Sequence, residues 1–214
     1  MLLLPVRHGE TEWNVLGREM GHLDSPLTPC GVGQARALGR RLGEMRIDAL
    51  YSSDLGRAVQ TAEILGAACG RAPQADPGLR ERHMGEFEGL TRDEVRERYP
   101  EHYAAYQRTG VIAVVPGGES TIARSERSAR VLTSIAERHP DETVAVVTHG
   151  GFLMGFLEWV MGLEPGNGGR FRKQNASFNA FDYVDSKWTL RTWNDVSHLA
   201  HLGSMDDMGA ERHA

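Results

Sequence analysis

The chain has 214 residues, of which 40% are hydrophobic and 25% charged, with 25 glycines. This composition fits a soluble globular protein rich in tight turns and excludes a disordered or fibrous chain. With 24 basic against 29 acidic side chains the net charge is -5, so no global positive field exists to attract nucleic acid or an anionic membrane, and any anion site must be local.

No stretch reads as a linker, so one domain is expected over residues 1–202; the Gly-, Asp-, Met- and Ala-rich residues 203–214 are expected to fray as a flexible tail. Cys30 and Cys69 lack metal-ligand spacing and read as two reduced thiols, which suits the cytoplasm. Met1-Leu2-Leu3-Leu4 has no basic leader and is cut off by Arg7, so it reads as a strand and not a signal peptide. No apolar window approaches the length of a bilayer span. Oligomeric state has no readable code here, and a homodimer stays open.

Residues 2–7 are expected as the first strand, although Pro5 cannot donate to a ladder and belongs at an edge or a bulge. Trp13 and Asn14 lead into a polar loop through Gly17, Gly21 and Asp24-Ser25-Pro26. Thr28-Pro29 then reads as an N-cap with proline in the first turn, and Val32, Ala35, Leu38, Leu42 and Met45 recur at helical spacing. Gly31-Val32-Gly33 follows a helix cap instead of a strand and lacks a third glycine, so it is not a dinucleotide loop.

Ile47–Tyr51 forms a second short strand that ends at Ser52-Ser53-Asp54, and a helix runs from about Leu55 to Cys69. Arg57 lies in its first turn; taken alone it would be a solvated surface charge. Residues 71–78 carry proline and glycine, and Leu79 to Gly89 reads as a charged loop holding Glu81. Thr91 with Glu94 makes a capping box for a short helix, and Tyr99 to Thr109 a second one.

Val111–Val115 leads to Pro116-Gly117-Gly118-Glu119-Ser120, after which Ile122, Ser125, Ala129, Leu132 and Ala136 mark one helix face that stops before Pro140. Thr143–Thr148 is the strongest strand signal, a β-branched run suited to the middle of a parallel sheet. It runs into His149-Gly150-Gly151, where a helix would aim its free N–H groups at the same edge as His8. Ser177–Val184 and Trp188–Trp193 alternate around Asp185-Ser186-Lys187 as a hairpin. His198, His201 and His213 read as solvated tail histidines, not metal ligands.

Three strand ends thus contribute Arg7 with His8, Arg57, and His149, while a loop can bring Glu81 across the opening. Two guanidinium groups and two imidazoles converging on one point suit a phosphate dianion, whose oxygens accept bidentate bonds. The carboxylate then makes sense as a proton carrier.

In this arrangement the chain resembles the histidine phosphatase superfamily, also called the phosphoglycerate mutase-like family. The resemblance runs from Arg7-His8-Gly9-Glu10-Thr11 with Trp13-Asn14, through Ser52-Ser53-Asp54-Leu55 with Arg57 and Gln60-Thr61-Ala62. It continues through Glu81 with Gly85 and Glu88-Gly89, then Pro116-Gly117-Gly118-Glu119-Ser120 and Thr148-His149-Gly150-Gly151. Five ordered motifs make it specific.

The resemblance implies a three-layer α/β/α sandwich with a mostly parallel central sheet, in which His8 is phosphorylated during turnover. Arg7, Arg57 and His149 would hold the phosphoryl group, Glu81 would serve the leaving oxygen, and Asn14, Gly21 and the Gly150 amide would line the pocket. It implies no metal and no cofactor, and a small phosphorylated molecule as substrate. Two neighbouring arginines should keep the His8 imidazole unprotonated and the empty-site Glu81 ionised, with an incoming dianion raising the Glu81 pKa.

Within the family, hydrolase and mutase differ in what accepts the phosphoryl group. The mutases resemble this chain at Glu81-Arg82-His83 but carry a tyrosine where Met84 stands and a longer insert where only Leu90–Val115 lies here, which favours a phosphatase on small phosphomonoesters. Met20 replaces a glutamine found in many relatives, a departure that bears on substrate contacts. A non-catalytic phosphate-binding module would lack the nucleophile or the acid, yet His8, Arg7, Arg57, Glu81 and His149 are all present. A nucleotide-hydrolysing enzyme would need a Walker loop, which is absent.

Overall fold

The computed structural model describes residues 1–109 and 114–202. The two most apolar strands lie side by side at the centre: β1 (Leu2–Arg7) and β4 (Thr143–Thr148) pair in parallel from Leu2 opposite Thr143 to Arg7 opposite Thr148. β2 (Ala49–Ser52) joins the other side of β4, and the two-residue β3 (Gln74–Ala75) extends the parallel part. β5 (Phe178–Val184) and β6 (Lys187–Asp195) close the sheet as an antiparallel hairpin, giving the order β3-β2-β4-β1-β5-β6. Asp185 and Ser186 turn the hairpin at φ 49° and 59°, the pair of positive values that a two-residue type I′ turn demands.

Helices cover both faces of the sheet. Leu38 and Leu42 of α2 (Pro29–Gly43) and Ala58, Ala62 and Leu65 of α3 (Gly56–Cys69) pack on Leu4, Val6, Leu50, Ala145 and Val147. Leu132 and Ile135 of α6 (Thr121–Arg138) and Phe152 and Phe156 of α7 (Gly150–Val160) pack on the opposite side chains, Leu3, Tyr51, Val144 and Val146. Alternation along each strand therefore feeds both cores, the pattern of a sheet buried on both faces. α4 (Arg92–Arg98) and α5 (Pro100–Thr109) lie in the long connection to α6, where Phe87, Val95 and Val115 form a small third cluster. No helix among the described residues is long and apolar enough to cross a membrane.

Pro5 lies in the sheet interior, and its neighbours accommodate it. It faces β5, where the pairing passes from Leu3 opposite Phe181 directly to Val6 opposite Phe178. Buried Asn179 fills the gap: its Nδ2 donates to the Pro5 carbonyl at 2.9 Å, and its Oδ1 accepts the Asn194 N–H at 2.7 Å. The irregularity expected at the proline has moved to β5 and β6, whose register shifts beside Asn179.

Other expectations need correction. Ile122 is 58% exposed, because Ser125 and Ser128, not Ile122, face α7; their small side chains let Gly155 approach, with Ser125 Oγ donating to its carbonyl at 2.9 Å. The four-residue α1 (Glu12–Val15), closed by a capping box between Thr11 and Asn14, and β3 are too short to show a periodicity. His198 is half-buried, with its Nε2 bonded to the Ala176 carbonyl at 3.1 Å, and is not a solvated tail residue. Residues 111–113, the tail at 203–214 with His213, and the His201 side chain lie outside what is described.

Replacing Asn179 with alanine leaves a buried carbonyl and a buried N–H without partners. The expected cost is about 1–3 kcal/mol in urea unfolding with an unchanged m-value; a change within the error of the wild type would show that the amide does not bridge the sheet.

Candidate active site

The parallel strands β1, β2 and β4 end together at Arg7, Ser52 and Thr148, the edge at which open α/β sheets bind ligands. Gly9 lets the chain turn there against the start of α2: a Cβ on Gly9 would stand 2.5 Å from the Gly31 carbonyl oxygen, and one on Gly31 2.0 Å from that of Glu10. Gly31 is therefore a packing glycine. His8 and His149, delivered by adjacent strands, face each other with ring centroids 5.2 Å apart, and each is essentially inaccessible to solvent.

The hydrogen bonds of the two imidazoles set what their nitrogens can do. His8 Nδ1 lies 2.7 Å from the Gly9 carbonyl, which can only accept, so Nδ1 carries the proton and Nε2 presents a lone pair. His149 Nε2 lies 2.8 Å from the Ser53 hydroxyl, and its Nδ1 is buried with no partner. Burial lowers both histidine pKa values well below the ordinary value, and the positive charges of Arg57 and Arg7 push further the same way. The expected effect of the arginines on His8 is present, second to desolvation.

Arg57 is no solvated charge: it is 1% exposed, and its Nη1 donates to the Leu23 carbonyl at 2.7 Å and to Asp24 Oδ1 at 3.0 Å, its Nη2 to the Gly21 carbonyl at 2.9 Å. Arg7 Nη1 donates to the Lys173 carbonyl. Burial lowers the Arg7 pKa to about 10, which leaves it charged at neutral pH. The Nε atoms of both arginines are buried without partners, as is His149 Nδ1. A buried donor left unpaired costs about 1–3 kcal/mol, so the two guanidinium Nε atoms call for acceptors that the protein itself does not supply.

Glu81 reaches the same place from the loop after β3. Its Oε2 accepts the Gly151 N–H at 2.8 Å, while Oε1 accepts the N–H groups of Phe152 at 2.9 Å and Arg82 at 2.7 Å. The first turn of α7 is therefore spent largely on this carboxylate and not left open to a phosphate. Burial raises the Glu81 pKa, but the Gly151 and Arg82 N–H groups together with Arg57 and Lys173 outweigh it, and the net shift is downward. Backbone donors thus precede the arginines in keeping it ionised. A Cβ on Gly151 would come within 2.3 Å of Oε1, so the second glycine of the His-Gly-Gly motif makes room for the carboxylate.

The remaining expected pocket residues gather here too. Asn14 Oδ1 accepts from the Thr11 N–H and from Asn175 Nδ2, each at 3.1 Å, which turns its NH₂ group outward. Gly21 contributes the carbonyl that anchors Arg57, and the Gly150 N–H has no partner among the described residues. A Cβ on Gly150 would touch Lys173 Cδ at 3.2 Å and Arg7 Nε at 3.3 Å. Lys173, Glu19 and Asn175, which donates to the His8 carbonyl at 3.1 Å, escaped the sequence reading. No group of three or more His, Cys, Asp or Glu that could hold a metal ion occurs among the described residues. Both cysteines are free thiols.

Fold and site together define an α/β/α protein in which buried arginines and a second histidine surround a neutral imidazole at the sheet edge. The chain belongs to the histidine phosphatase superfamily (branch 1), whose pattern matches residues 3–196. It is 38% identical over 215 residues to phosphoglycerate mutase-like protein 4 of Arabidopsis thaliana, covering 98% of this chain and 92% of that protein. It is 41% identical over 202 residues to the metal-independent phosphoserine phosphatase of Arabidopsis thaliana, covering 92% and 83%. Among solved structures, the mycobacterial glucosyl-3-phosphoglycerate phosphatase complexed with VO₃ superposes with a TM-score of 0.81 at 32% identity, covering 90% of this chain and 98% of that one.

The buried neutral histidines also tie stability to pH. Unfolded imidazoles take up protons below about pH 6.5 that the native ones refuse, so their contribution is complete above that pH and is lost as pH falls through it. Unfolding free energy should drop by roughly 1 kcal/mol per pH unit for each imidazole between about pH 6 and 5. The double variant His8→Asn, His149→Asn should flatten that slope; an unchanged slope would show that these imidazoles titrate normally.

Proposed function

We propose that the protein is a phosphomonoesterase that hydrolyses small phosphorylated molecules through a phosphohistidine on His8. One observation carries the reading: Arg7 Nε, Arg57 Nε and His149 Nδ1 are buried without partners around the His8 imidazole, whose Nε2 bears the lone pair. Three phosphoryl oxygens would satisfy the two guanidinium Nε donors and, in the tautomer with the proton on Nδ1, His149, and would place phosphorus before Nε2 of His8. The Asn14 amide and the Gly150 N–H add donors at the rim.

In the first step the Nε2 lone pair attacks phosphorus and the bond from phosphorus to the ester oxygen breaks. The leaving oxygen keeps the electron pair and takes a proton from Glu81. Oε1 already accepts two N–H groups and Oε2 only one, so Oε2 has the free lone pair for that proton. The dianion raises the Glu81 pKa on arrival, opposing the N–H groups that keep the empty-site carboxylate ionised. In the second step water attacks the phosphohistidine, Glu81 takes its proton, and the P–N electron pair returns to His8, releasing inorganic phosphate. The guanidinium groups act by position and charge on a loose transition state.

A mutase would use the same groups, and several relatives carry mutase names. The Met84 side chain where mutases have tyrosine, and the short span from Leu90 to Val115, support hydrolysis. Two free thiols support a cytoplasmic site of action.

The test is a series of aryl and alkyl phosphates with wild type and Glu81→Gln, run beside a phosphoglycerate mutase assay with bisphosphorylated primer. Wild type should hydrolyse several esters without isomerisation. The variant should lose about 10²- to 10⁴-fold on alkyl esters and much less on p-nitrophenyl phosphate, whose leaving group needs no proton. An equal loss on both, or isomerisation exceeding hydrolysis, would contradict the proposal.

A further inference from the structure

The Glu81 carboxylate is held at its oxygens, but its main chain runs through a segment without regular structure, between the 3₁₀ turns Pro77–Leu79 and Gly85–Phe87. Carbonyls in such a segment need donors from elsewhere. Four in succession have them. That of Leu79 accepts Thr148 Oγ1 at 2.7 Å, from the residue before His149. Arg127 of α6 holds the other three: its Nη1 donates to the Gly78 and Arg80 carbonyls, each at 2.8 Å, and its Nη2 to the Glu81 carbonyl at 3.2 Å.

The rest of the guanidinium is taken by Glu119 of the Pro-Gly-Gly-Glu-Ser motif, whose Oε1 and Oε2 accept Nε and Nη2, each at 2.8 Å. This fork-to-fork pairing fixes the guanidinium plane. Glu119 also grips the loop through its own main chain: its N–H donates to the His83 carbonyl at 2.8 Å, and its carbonyl accepts Arg82 Nε at 2.7 Å.

A guanidinium has five N–H groups, and here all five are engaged. Arg127 lines a concavity with His22, Arg80 and His83 that would otherwise suit an anion, yet it has no N–H left for one. Its role is therefore internal. The guanidinium also lies over the Phe152 ring, 5.4 Å from the centroid, and the Phe152 N–H is one of the donors to Glu81 Oε1. One side chain thus touches both the loop that presents the carboxylate and the helix turn that receives it.

Proton transfer needs Oε2 within hydrogen-bond reach of the leaving oxygen, and a displacement of about 1 Å can cost about 10²-fold in rate. We propose that Arg127, locked by Glu119, is a positioning residue for the proton transfer at Glu81: it sets where the loop main chain stands and hence how far Oε2 lies from the leaving oxygen. The inference rests on the reading of Glu81 as proton donor.

The test measures kcat/KM of wild type, Arg127→Met, Arg127→Lys and Glu119→Gln on ethyl phosphate, whose leaving group needs a proton, and on p-nitrophenyl phosphate, whose leaving group does not. Arg127→Met should lose about 10²-fold on ethyl phosphate and less than about threefold on p-nitrophenyl phosphate. Arg127→Lys, which keeps the charge but offers three N–H groups in place of five, should fall between wild type and Arg127→Met. Glu119→Gln keeps Arg127 and weakens only its lock, so it should show the same pattern at about tenfold or less. Inhibition by inorganic phosphate should stay within about twofold of wild type in all three, because Arg7, Arg57 and His149 are untouched. In a Glu81→Gln background, Arg127→Met should cost less than about threefold on ethyl phosphate, since the transfer it serves is already gone. Equal losses on the two esters, a loss as large in the Glu81→Gln background, or full activity of both Arg127 variants would overturn the positioning role while leaving Glu81 as donor. Equal losses on the two esters for Glu81→Gln alone would contradict the reading of Glu81 and the positioning role with it. Should Arg127→Met fail to fold, Arg127→Lys and Glu119→Gln decide by the same comparison.

Discussion

In the proposed reaction a lone pair on an imidazole has to stay available in the field of two guanidinium groups, and the structure around His8 meets that requirement. Protonation beside Arg7 and Arg57 in a space closed to water would add a third unsolvated positive charge, so burial and repulsion together hold the ring neutral. Neutrality alone leaves two tautomers. The Gly9 carbonyl at 2.7 Å selects the one with the proton on Nδ1, which leaves the lone pair on Nε2, the nitrogen that attacks in the proposed reaction. A backbone acceptor one residue away thus decides the chemical character of the pocket.

Sheet topology supplies the rest. Parallel pairing of β1 with β4 in register brings Arg7 opposite Thr148, and the residues that follow them, His8 and His149, become neighbours. The Ser53 hydroxyl that holds His149 follows directly on the end of β2, on the far side of β4. Antiparallel β5 brings Lys173 and Asn175 to the same edge, where the Asn175 amide ties the His8 carbonyl to Asn14. The first turn of α7 serves two ends: most of its free N–H groups hold Glu81 as a carboxylate, and the first remains beside Arg7. The proposed proton carrier is thereby kept ionised in the empty site.

Much of this was legible in the residues. The central strands and the helices that cover them carry strong apolar periodicities, and Thr28-Pro29 and Thr91 with Glu94 signal helix starts that hydrogen bonds bear out. Strand-end placement made Arg7, His8 and His149 visible, since a run such as Thr143–Thr148 fixes where the next side chain emerges. Arg57, in contrast, reads alone as a surface charge; its burial depends on carbonyls of residues 21 and 23, which only tertiary folding brings to it. Lys173 and Glu19 carry no local signal, because their place follows from strand pairing and a loop contact. Pro5 shows the limit from the other side: the local rule forbids it in a central strand, and Asn179, distant in sequence, accommodates it.

The central claim is most directly tested by trapping the intermediate. Wild-type protein mixed with a ³²P-labelled ester, quenched into alkali within one turnover and mapped by peptide, should carry an acid-labile, base-stable label on His8, at Nε2 and not at Nδ1. Label on His149, on Nδ1 of His8, or on no histidine during demonstrable turnover would contradict the account.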